Sequence, residues 1–366
     1  MRIQSLTLEH FRNYASQEVS FYQLNTHLFY GKNGSGKTNL LEALSVLSLT
    51  RSCRGRDEQD MVQWDQPFYR LRADIQSDAG ETQRLEVVSE VTPRVRKAVF
   101  VNDVKLPLTS FVGVMPTVTF LPQDLELFTG PPAERRRFLD QLLSQISAEY
   151  LTTLSEYQKL LQQRNALLKR IAAGRDPEEG LDLWDRELAL RGGRLTLARL
   201  ELIETLNLSF QKELAHLQEE WNATELRYER KTQERSLEGI AKEMETILRD
   251  TRPRDILLQS TGVGPHREDW QVYREGRALP TFASRGQERV CVLALLFLEV
   301  SYLELRRGEK PVVLLDDAFS ELDQEHQVAL LQSLAGYQVI MTATHVPGTA
   351  EDIGLYHIEN GVLEYK

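Results

Sequence analysis

Gly31-Lys32-Asn33-Gly34-Ser35-Gly36-Lys37-Thr38 fits the spacing G-x-x-x-x-G-K-[ST] and stands between an apolar segment, His27-Leu28-Phe29-Tyr30, and a helical stretch, Asn39–Leu49. That is where a phosphate-binding loop must stand. Glycines let the backbone from Gly31 to Gly36 curl until several N–H groups point at one phosphate, and the helix that follows adds positive field. Lys37 is expected to reach the β and γ oxygens of ATP and Thr38 to ligate Mg²⁺. A second segment, Pro311-Val312-Val313-Leu314-Leu315-Asp316-Asp317, is an apolar run ending in two carboxylates. A buried strand delivers such groups to its C-terminal tip, where open α/β sheets bind ligands. Asp316 is expected to hold Mg²⁺, directly or through water, and Asp317 to polarise the attacking water.

Ser284-Arg285-Gly286-Gln287 opens a helical stretch, 287–305, some thirty residues before Asp316, the spacing of an ABC-type signature. Ser320-Glu321-Leu322-Asp323 follows the acidic strand as a D-loop does, and His345 follows the next strand as a switch histidine does. In an ABC-type ATPase the signature residues, here Ser284, Gly286 and Gln287, complete the nucleotide site of the opposite subunit, where a second helix N-terminus faces the γ-phosphate. A two-fold dimer clamping two ATP is the expected assembly. Ser284 is also a good helix N-cap in its own right.

The elements that must position these groups can be read from periodicity. Ile3, Leu6 and Leu8, then Val19 and Phe21, read as short strands of an edge sheet, and 69–75, 84–91, 98–101 and 118–121 as further strands. From about Glu134 the texture changes: Leu154, Leu161 and Leu168 recur every seven residues, with Tyr157 and Ile171 beside them. Residues 173–180 then read as a turn, and helical spacing resumes from Leu181 to about Glu220. The stripe is expected to pack one helix of an antiparallel hairpin on the other. The α/β texture returns with strands at 312–315 and 338–342. The expected class is therefore α/β, a discontinuous ABC-type ATPase head (1–133 and 251–366) interrupted by a helical arm (134–250).

Composition sets the bounds. The 366 residues are 41% apolar and 27% charged, an ordinary folded protein with ample chain for a core. The most apolar run, Cys291 to Val300, contains Glu299 and falls short of the roughly 18 residues a membrane span needs. Met1–His10 alternates like a strand and has no leader-like apolar core. Two cysteines, Cys53 and Cys291, build neither a disulfide framework nor a zinc site. The expectation is a cytoplasmic protein with no membrane association. A net charge of −10 opposes wholesale attraction to nucleic acid, yet residues 1–140 hold 17 basic and 17 acidic side chains, with basic clusters at Arg51/Arg54/Arg56, Arg94/Arg96/Lys97 and Arg135/Arg136/Arg137. Such patches can meet phosphate. For the third cluster the alternative is pairing with Glu134 and Asp140.

Further segments carry a resemblance over nearly the whole chain: Phe11-Arg12-Asn13-Tyr14, Asn39-Leu40-Leu41-Glu42-Ala43, Ser52-Cys53-Arg54, Leu121-Pro122-Gln123-Asp124-Leu125-Glu126-Leu127, Arg136-Arg137-Phe138-Leu139-Asp140, Gly264-Pro265-His266-Arg267 and Asp316–Asp323. With these the chain resembles the RecF family of bacterial DNA-repair ATPases. The resemblance implies an ABC-type head with a helical arm, ATP-dependent dimerisation, weak DNA-dependent ATP hydrolysis, and binding of duplex DNA and of single-/double-strand junctions governed by ATP. It also implies cooperation with RecR and RecO in loading RecA at gaps. It extends the nucleotide site to Asn39 and makes Gln123 the Q-loop ligand to Mg²⁺. Cys53 stands where the family more often has an aromatic, and Gln123 where it usually has Glu. Arg12 either flanks the nucleotide or caps a hairpin, and Gly264–Arg267 is either a rigid turn or a relay between arm and head. The competing classes are the ATPase subunit of a transporter and the head of a chromosome-maintenance protein. About 280 residues between Lys37 and Asp316 are too many for the first, and the arm is too short for the second.

Overall fold

Alternation of apolar and polar side chains, which marks a strand with one wet face, runs through β1 (Arg2–Phe11) and β2 (Tyr14–Ser20), and the chain reverses between them at Arg12 and Asn13. The computed structural model describes the chain apart from residues 23, 56, 218–220, 222, 232–233, 323, 347–352 and 360 and the side chains of 319, 321 and 324. From β2 the chain continues through β3 (Thr26–Tyr30), α1 (Lys37–Leu49), α2 (Glu58–Met61), β4 (Phe68–Gln76), β5 (Thr82–Glu90), β6 (Arg96–Val101), β7 (Val104–Leu106), α3 (Leu108–Phe111) and β8 (Thr117–Phe120). There follow α4 (Pro132–Ile146), α5 (Ala148–Ala172), α6 (Leu181–His216), β9 (Thr224–Glu229), α7 (Leu237–Asp250), α8 (Arg252–Leu258), β10 (Asp269–Arg274) and β11 (Arg277–Ala278). The last elements are α9 (Arg285–Arg307), β12 (Val312–Leu315), α10 (Ala318–Glu321), α11 (Gln324–Ser333), β13 (Val339–Ala343), β14 (Ile353–Glu359) and β15 (Val362–Tyr365). Two compact units result, Met1–Leu125 with Arg289–Lys366, and Glu126–Glu288.

The first unit holds two six-stranded sheets. One is antiparallel, in the order β2-β1-β4-β5-β6-β7; the other runs β15-β14-β3-β13-β12-β8, with every neighbouring pair parallel except β14 and β15. The strands expected from Ile3, Leu6 and Leu8 and from Val19 are β1 and β2 of the antiparallel sheet, β1 lying between β2 and β4. All four residues of β12 are buried, as in a parallel strand covered on both faces. Residues 40 to 48 of α1 are apolar or small apart from Glu42, and all are buried or nearly so. A helix buried all round lies between layers, and Leu40, Leu41, Leu44 and Leu47 share a core with Leu6, Leu71 and Val87 of one sheet and Phe29, Leu314 and Ile340 of the other.

In the second unit α5 and α6 form the expected hairpin. Leu154, Tyr157 and Leu168 are buried, Leu161 is half-buried, and Leu167, Leu168 and Leu181 form a core with Ile171 against it. Arg164, on the same face, is wholly buried and bonds Asp185 at 2.7 Å, Asp255 at 2.8 Å and the Thr261 hydroxyl at 2.8 Å. A buried charge is tolerated only with such pairing. The unit is more than a hairpin, because β10 pairs antiparallel with β9 from Asp269↔Glu229 to Arg274↔Thr224. That pairing folds residues beyond 250 back onto α6 and β9, so the second compact unit runs from Glu126 to Glu288 where the sequence division ran from 134 to 250. Among the described residues no helix is long and apolar enough to cross a membrane.

Candidate nucleotide site

Four parallel strands lie side by side in the order β3, β13, β12, β8, with Ala343 beside Tyr30, Met341 beside Leu315, and Leu315 beside Phe120. Each ends in a segment the sequence singles out. The loop Gly31–Thr38 follows β3, Thr344-His345 follows β13, Asp316-Asp317 follows β12, and Leu121-Pro122-Gln123 follows β8. The chemistry therefore gathers at the carboxyl end of one sheet, where ligands of open α/β sheets bind.

Backbone geometry explains the glycines at two positions. Gly31 and Gly36 have φ of 153° and 112°. A β-carbon on Gly31 would stand 2.2 Å from the Ile358 carbonyl oxygen, and one on Gly36 would stand 2.6 Å from Asn13 Nδ2 and 2.8 Å from the Tyr14 hydroxyl. The same Asn13 and Tyr14 brace the loop: the Asn13 amide donates to Ser35 O at 3.3 Å and the Tyr14 hydroxyl to Gly36 O at 3.1 Å. Asn39 donates to Asn13 Oδ1 at 2.8 Å. Arg12, at φ 55°, grips Glu42 of α1 through two bonds of 2.8 and 2.7 Å and donates to Asp60 O. Phe11–Tyr14 is thus a hairpin turn and a buttress of the loop, and the Arg12 guanidinium is committed to Glu42.

Lys37 is 8% exposed, and its ammonium donates to Gly31 O at 2.7 Å and Lys32 O at 3.0 Å. Burial lowers its pKa, against the Asp317 and Asp316 carboxylates, which raise it. Among the described residues the Ser35 hydroxyl inside the loop, itself buried, has no hydrogen-bond partner. Thr38 Oγ1 donates to the Asp316 carboxylate, 2.9 Å from one oxygen and 3.0 Å from the other. The Thr342 hydroxyl holds Asp316 Oδ1 at 2.7 Å and accepts the Asp317 N–H at 2.9 Å. Asp317 has φ 46° and leads into α10, where Ser320 folds back on its carbonyl at 2.9 Å. His345 and Gln123 are exposed at their strand ends, His345 3.0 Å from its neighbour's Thr344 hydroxyl. Asp323 of the expected D-loop lies outside the described residues.

Ser284 belongs to the second unit. Its hydroxyl accepts the Gln287 N–H at 3.3 Å while Gln287 Oε1 accepts the Ser284 N–H at 3.1 Å, a reciprocal capping box that leaves Ser284, Arg285 and Gly286 exposed at the start of α9. The Gly264–Arg267 turn is fixed inside the same unit. Gly264 has φ 125° with the Tyr157 hydroxyl where a β-carbon would stand, Pro265 O accepts from Arg199 at 2.7 Å, and His266 Nδ1 lies 2.6 Å from the Tyr157 hydroxyl.

Two basic clusters need correction. Arg135 is 4% exposed, bound to Asp269 by two bonds and to the carbonyls of Leu127, Phe128 and Gly130, so it cannot meet DNA. Arg136 donates to Glu268 O, Arg137 pairs with Glu134, and Asp140 pairs with Arg199. Lys97 is likewise withdrawn, bound to Glu58 and to Thr50 O. Arg56 lies outside the described residues. Sequence reasoning missed Thr342 and Glu42. Each had a signal, a lone hydroxyl in the apolar strand Val339–Ala343 and a lone carboxylate in the apolar helix α1.

Residues 2–362 match the family model described as the RecF/RecN/SMC N terminal domain. The chain is 36% identical to the DNA replication and repair protein RecF of Heliobacterium modesticaldum, covering 99% of each, and 33% identical to that of Enterococcus faecalis, covering 100% of this chain and 99% of the relative. Among solved structures it matches the recombination mediator protein RecF with ATP in the RecFOR pathway, at 32% identity and TM-score 0.90, over 100% of this chain and 97% of that one. An Smc head bound to the C-terminal winged-helix domain of ScpA, at 13% identity and TM-score 0.55 over 100% and 97%, shares the fold.

Proposed function

The chain belongs to the RecF family of DNA replication and repair proteins, and from that premise we propose that it is an ATP-dependent DNA-binding protein of recombinational repair and a slow, DNA-stimulated ATPase acting in the cytoplasm. The observation that carries this reading is the Thr38–Asp316 contact at the end of four aligned strands, which joins the phosphate loop to the acidic strand.

The loop fits the phosphates of ATP. Positive φ at Gly31 and Gly36 curls the loop, the Ser35 hydroxyl has no partner among the described residues, the α1 N-terminus adds positive field, and Lys37 exchanges loop carbonyls for phosphate oxygens. Gly31 to Gly36, Lys37, Thr38 and Asn39 form the binding surface, and Arg12 supports it by clamping the turn that braces Gly36. A hydroxyl beside a carboxylate is a hard-oxygen donor set, and Mg²⁺ is bound by one or two carboxylates together with phosphates. Thr38 and Asp316 would hold it, with Gln123 contributing from the neighbouring strand end. When bound, the ion neutralises charge on the phosphates during transfer. Asp317 orients the attacking water and takes up its proton, and His345 senses the γ-phosphate.

Ser284, Gly286 and Gln287 stand at an open helix N-terminus, which supports their use by a second copy: they complete its nucleotide site, and ATP dimerises the protein. The dimer then binds duplex DNA and its junctions with single strands, and acts with RecR and RecO to load RecA at gaps, hydrolysis resetting the cycle. Sedimentation with ATP and with ADP tests this. Dimers with ATP alone are expected, and the same mass with both nucleotides would refute it.

A further inference from the structure

Glu42 is the lone carboxylate of α1, and it is wholly shut off from solvent. Such a charge is costly to bury, and well-packed apolar residues commonly replace buried ion pairs with no loss of stability. Here the carboxylate fastens separate segments to the helix. Its Oε2 accepts from Arg12 Nε at 2.8 Å and its Oε1 from Arg12 Nη2 at 2.7 Å, and Oε1 also accepts the Ser52 hydroxyl. Arg12 Nη1 donates onward to Asp60 O, and the Arg12 N–H to Met61 O at 2.8 Å. Arg12 keeps a left-handed φ of 55°, a conformation that persists in such a residue only where its surroundings fix it.

The bonds close a ring about the first turns of α1. Asn39, one helical turn before Glu42, donates at 2.8 Å to Oδ1 of Asn13, the residue after Arg12. Arg54 Nη1 donates to Asn39 Oδ1 at 3.4 Å, and the Arg54 N–H to the Ser52 hydroxyl at 3.0 Å, which leads back to Glu42. Asn13 joins this ring to the phosphate loop. Its Nδ2 donates to Ser35 O at 3.3 Å and stands 2.6 Å from where a β-carbon on Gly36 would lie. Every link belongs to Met1–Leu125, in the same compact unit as the loop.

We propose that Glu42 is a positioning residue for nucleotide binding: through Arg12 and Asn13 it presets the curl of Gly31–Gly36 before a phosphate arrives, and it touches no phosphate itself. The proposal rests on the ATP-binding reading above and deepens it. A loop already held in its bound shape loses no binding energy to being ordered. The phosphates it cradles are those that ATP and ADP share, so loosening it weakens both nucleotides alike and leaves the groups at the reacting phosphate in place.

The test is titration of the full chain with ATP and with ADP in the presence of Mg²⁺, beside steady-state hydrolysis and a thermal melt without nucleotide. Glu42→Gln should raise the Kd of both nucleotides about tenfold, the scale of a lost hydrogen bond to a charged group, and should raise KM with kcat within about threefold of wild type. Because Glu42→Gln leaves Arg12 without a carboxylate, Arg12→Met with Glu42→Gln is the companion variant. It should bind as weakly as Arg12→Met alone, since both changes break one clamp, whereas independent effects would add. Ser52→Ala, which leaves no charge unpaired, should shift both Kd values in the same direction by less. It decides the matter if neither charge variant folds, an unchanged Kd then overturning the proposal. Arg70→Gln, at an ion pair with Glu9 outside the ring, should change neither Kd. If the Arg12/Glu42 variant folds and binds both nucleotides like wild type, or if ATP alone is weakened, the positioning role is wrong. A lower melting temperature with unchanged Kd assigns Glu42 to stability alone and also overturns it. If wild type binds neither nucleotide, the nucleotide reading itself falls, and the proposal with it.

Discussion

Thr38 and Asp316, 278 positions apart in the chain, meet through a hydroxyl that lies 2.9 and 3.0 Å from the two oxygens of one carboxylate. Thr342 completes the arrangement from the strand between theirs, holding the carboxylate of Asp316 and the backbone of Asp317 with one hydroxyl. Thr342→Val would leave that N–H unpaired and Asp316 less firmly oriented, at a cost of about 1–3 kcal/mol. The expected result is a several-fold rise in the Mg²⁺ concentration for half-maximal ATP hydrolysis, with Thr342→Ser close to wild type. Asp316→Asn should shift the Mg²⁺ titration further. An unchanged titration in both would separate these residues from the metal.

Asp317→Asn should keep ATP and Mg²⁺ bound and slow turnover by on the order of 10²–10⁴, the usual cost of removing a group that positions the attacking water and accepts its proton. Single-turnover hydrolysis beside nucleotide binding checks this. A rate within about threefold of wild type would move the base elsewhere.

Ser284→Arg should abolish ATP-driven dimerisation and spare nucleotide binding by the monomer, because Ser284 lies outside its own chain's phosphate loop and its hydroxyl is spent locally only on the α9 cap. Loss of the cap should cost about 1 kcal/mol. Sedimentation equal to wild type with ATP would contradict the shared site.

The second unit should lose stability on mild acidification. Burial, reinforced by the charges of Arg267, Arg136 and Arg164, pulls the His266 imidazole from 6.5 down to about 4. The folded ring stays neutral while the unfolded one takes a proton, so the contribution is complete above about pH 6.5 and falls away as pH drops toward 4, at up to about 1.4 kcal/mol per pH unit. The melting temperature of wild type should fall more steeply between pH 7 and 5 than that of His266→Gln. Parallel curves would remove His266 as the cause.

Much of this was legible in the sequence where local pattern and global role agree. The glycine spacing, the apolar run before Asp316 and the seven-residue stripe of α5 each predict their elements, and the resemblance to RecF is borne out by the family model and the relatives. What stayed hidden depends on partners distant in sequence. Arg135 reads as a surface cation until Asp269, 134 positions away, neutralises it, and β9 meets β10 only across 40 positions from Glu229 to Asp269, so neither strand alone signals the sheet that redraws the second unit. Thr342 acquires its role only when β13 is laid between β3 and β12.

The central claim is that ATP, through a dimer, creates the DNA-binding surface of a net acidic chain. The most direct measurement is duplex-DNA affinity against salt with ATP, with ADP and without nucleotide, for wild type, Lys37→Met and Ser284→Arg. The account predicts salt-sensitive binding by wild type with ATP alone, falling at about 0.9 log units per phosphate neutralised, and none by either variant. Equal affinity in all three nucleotide states would contradict it.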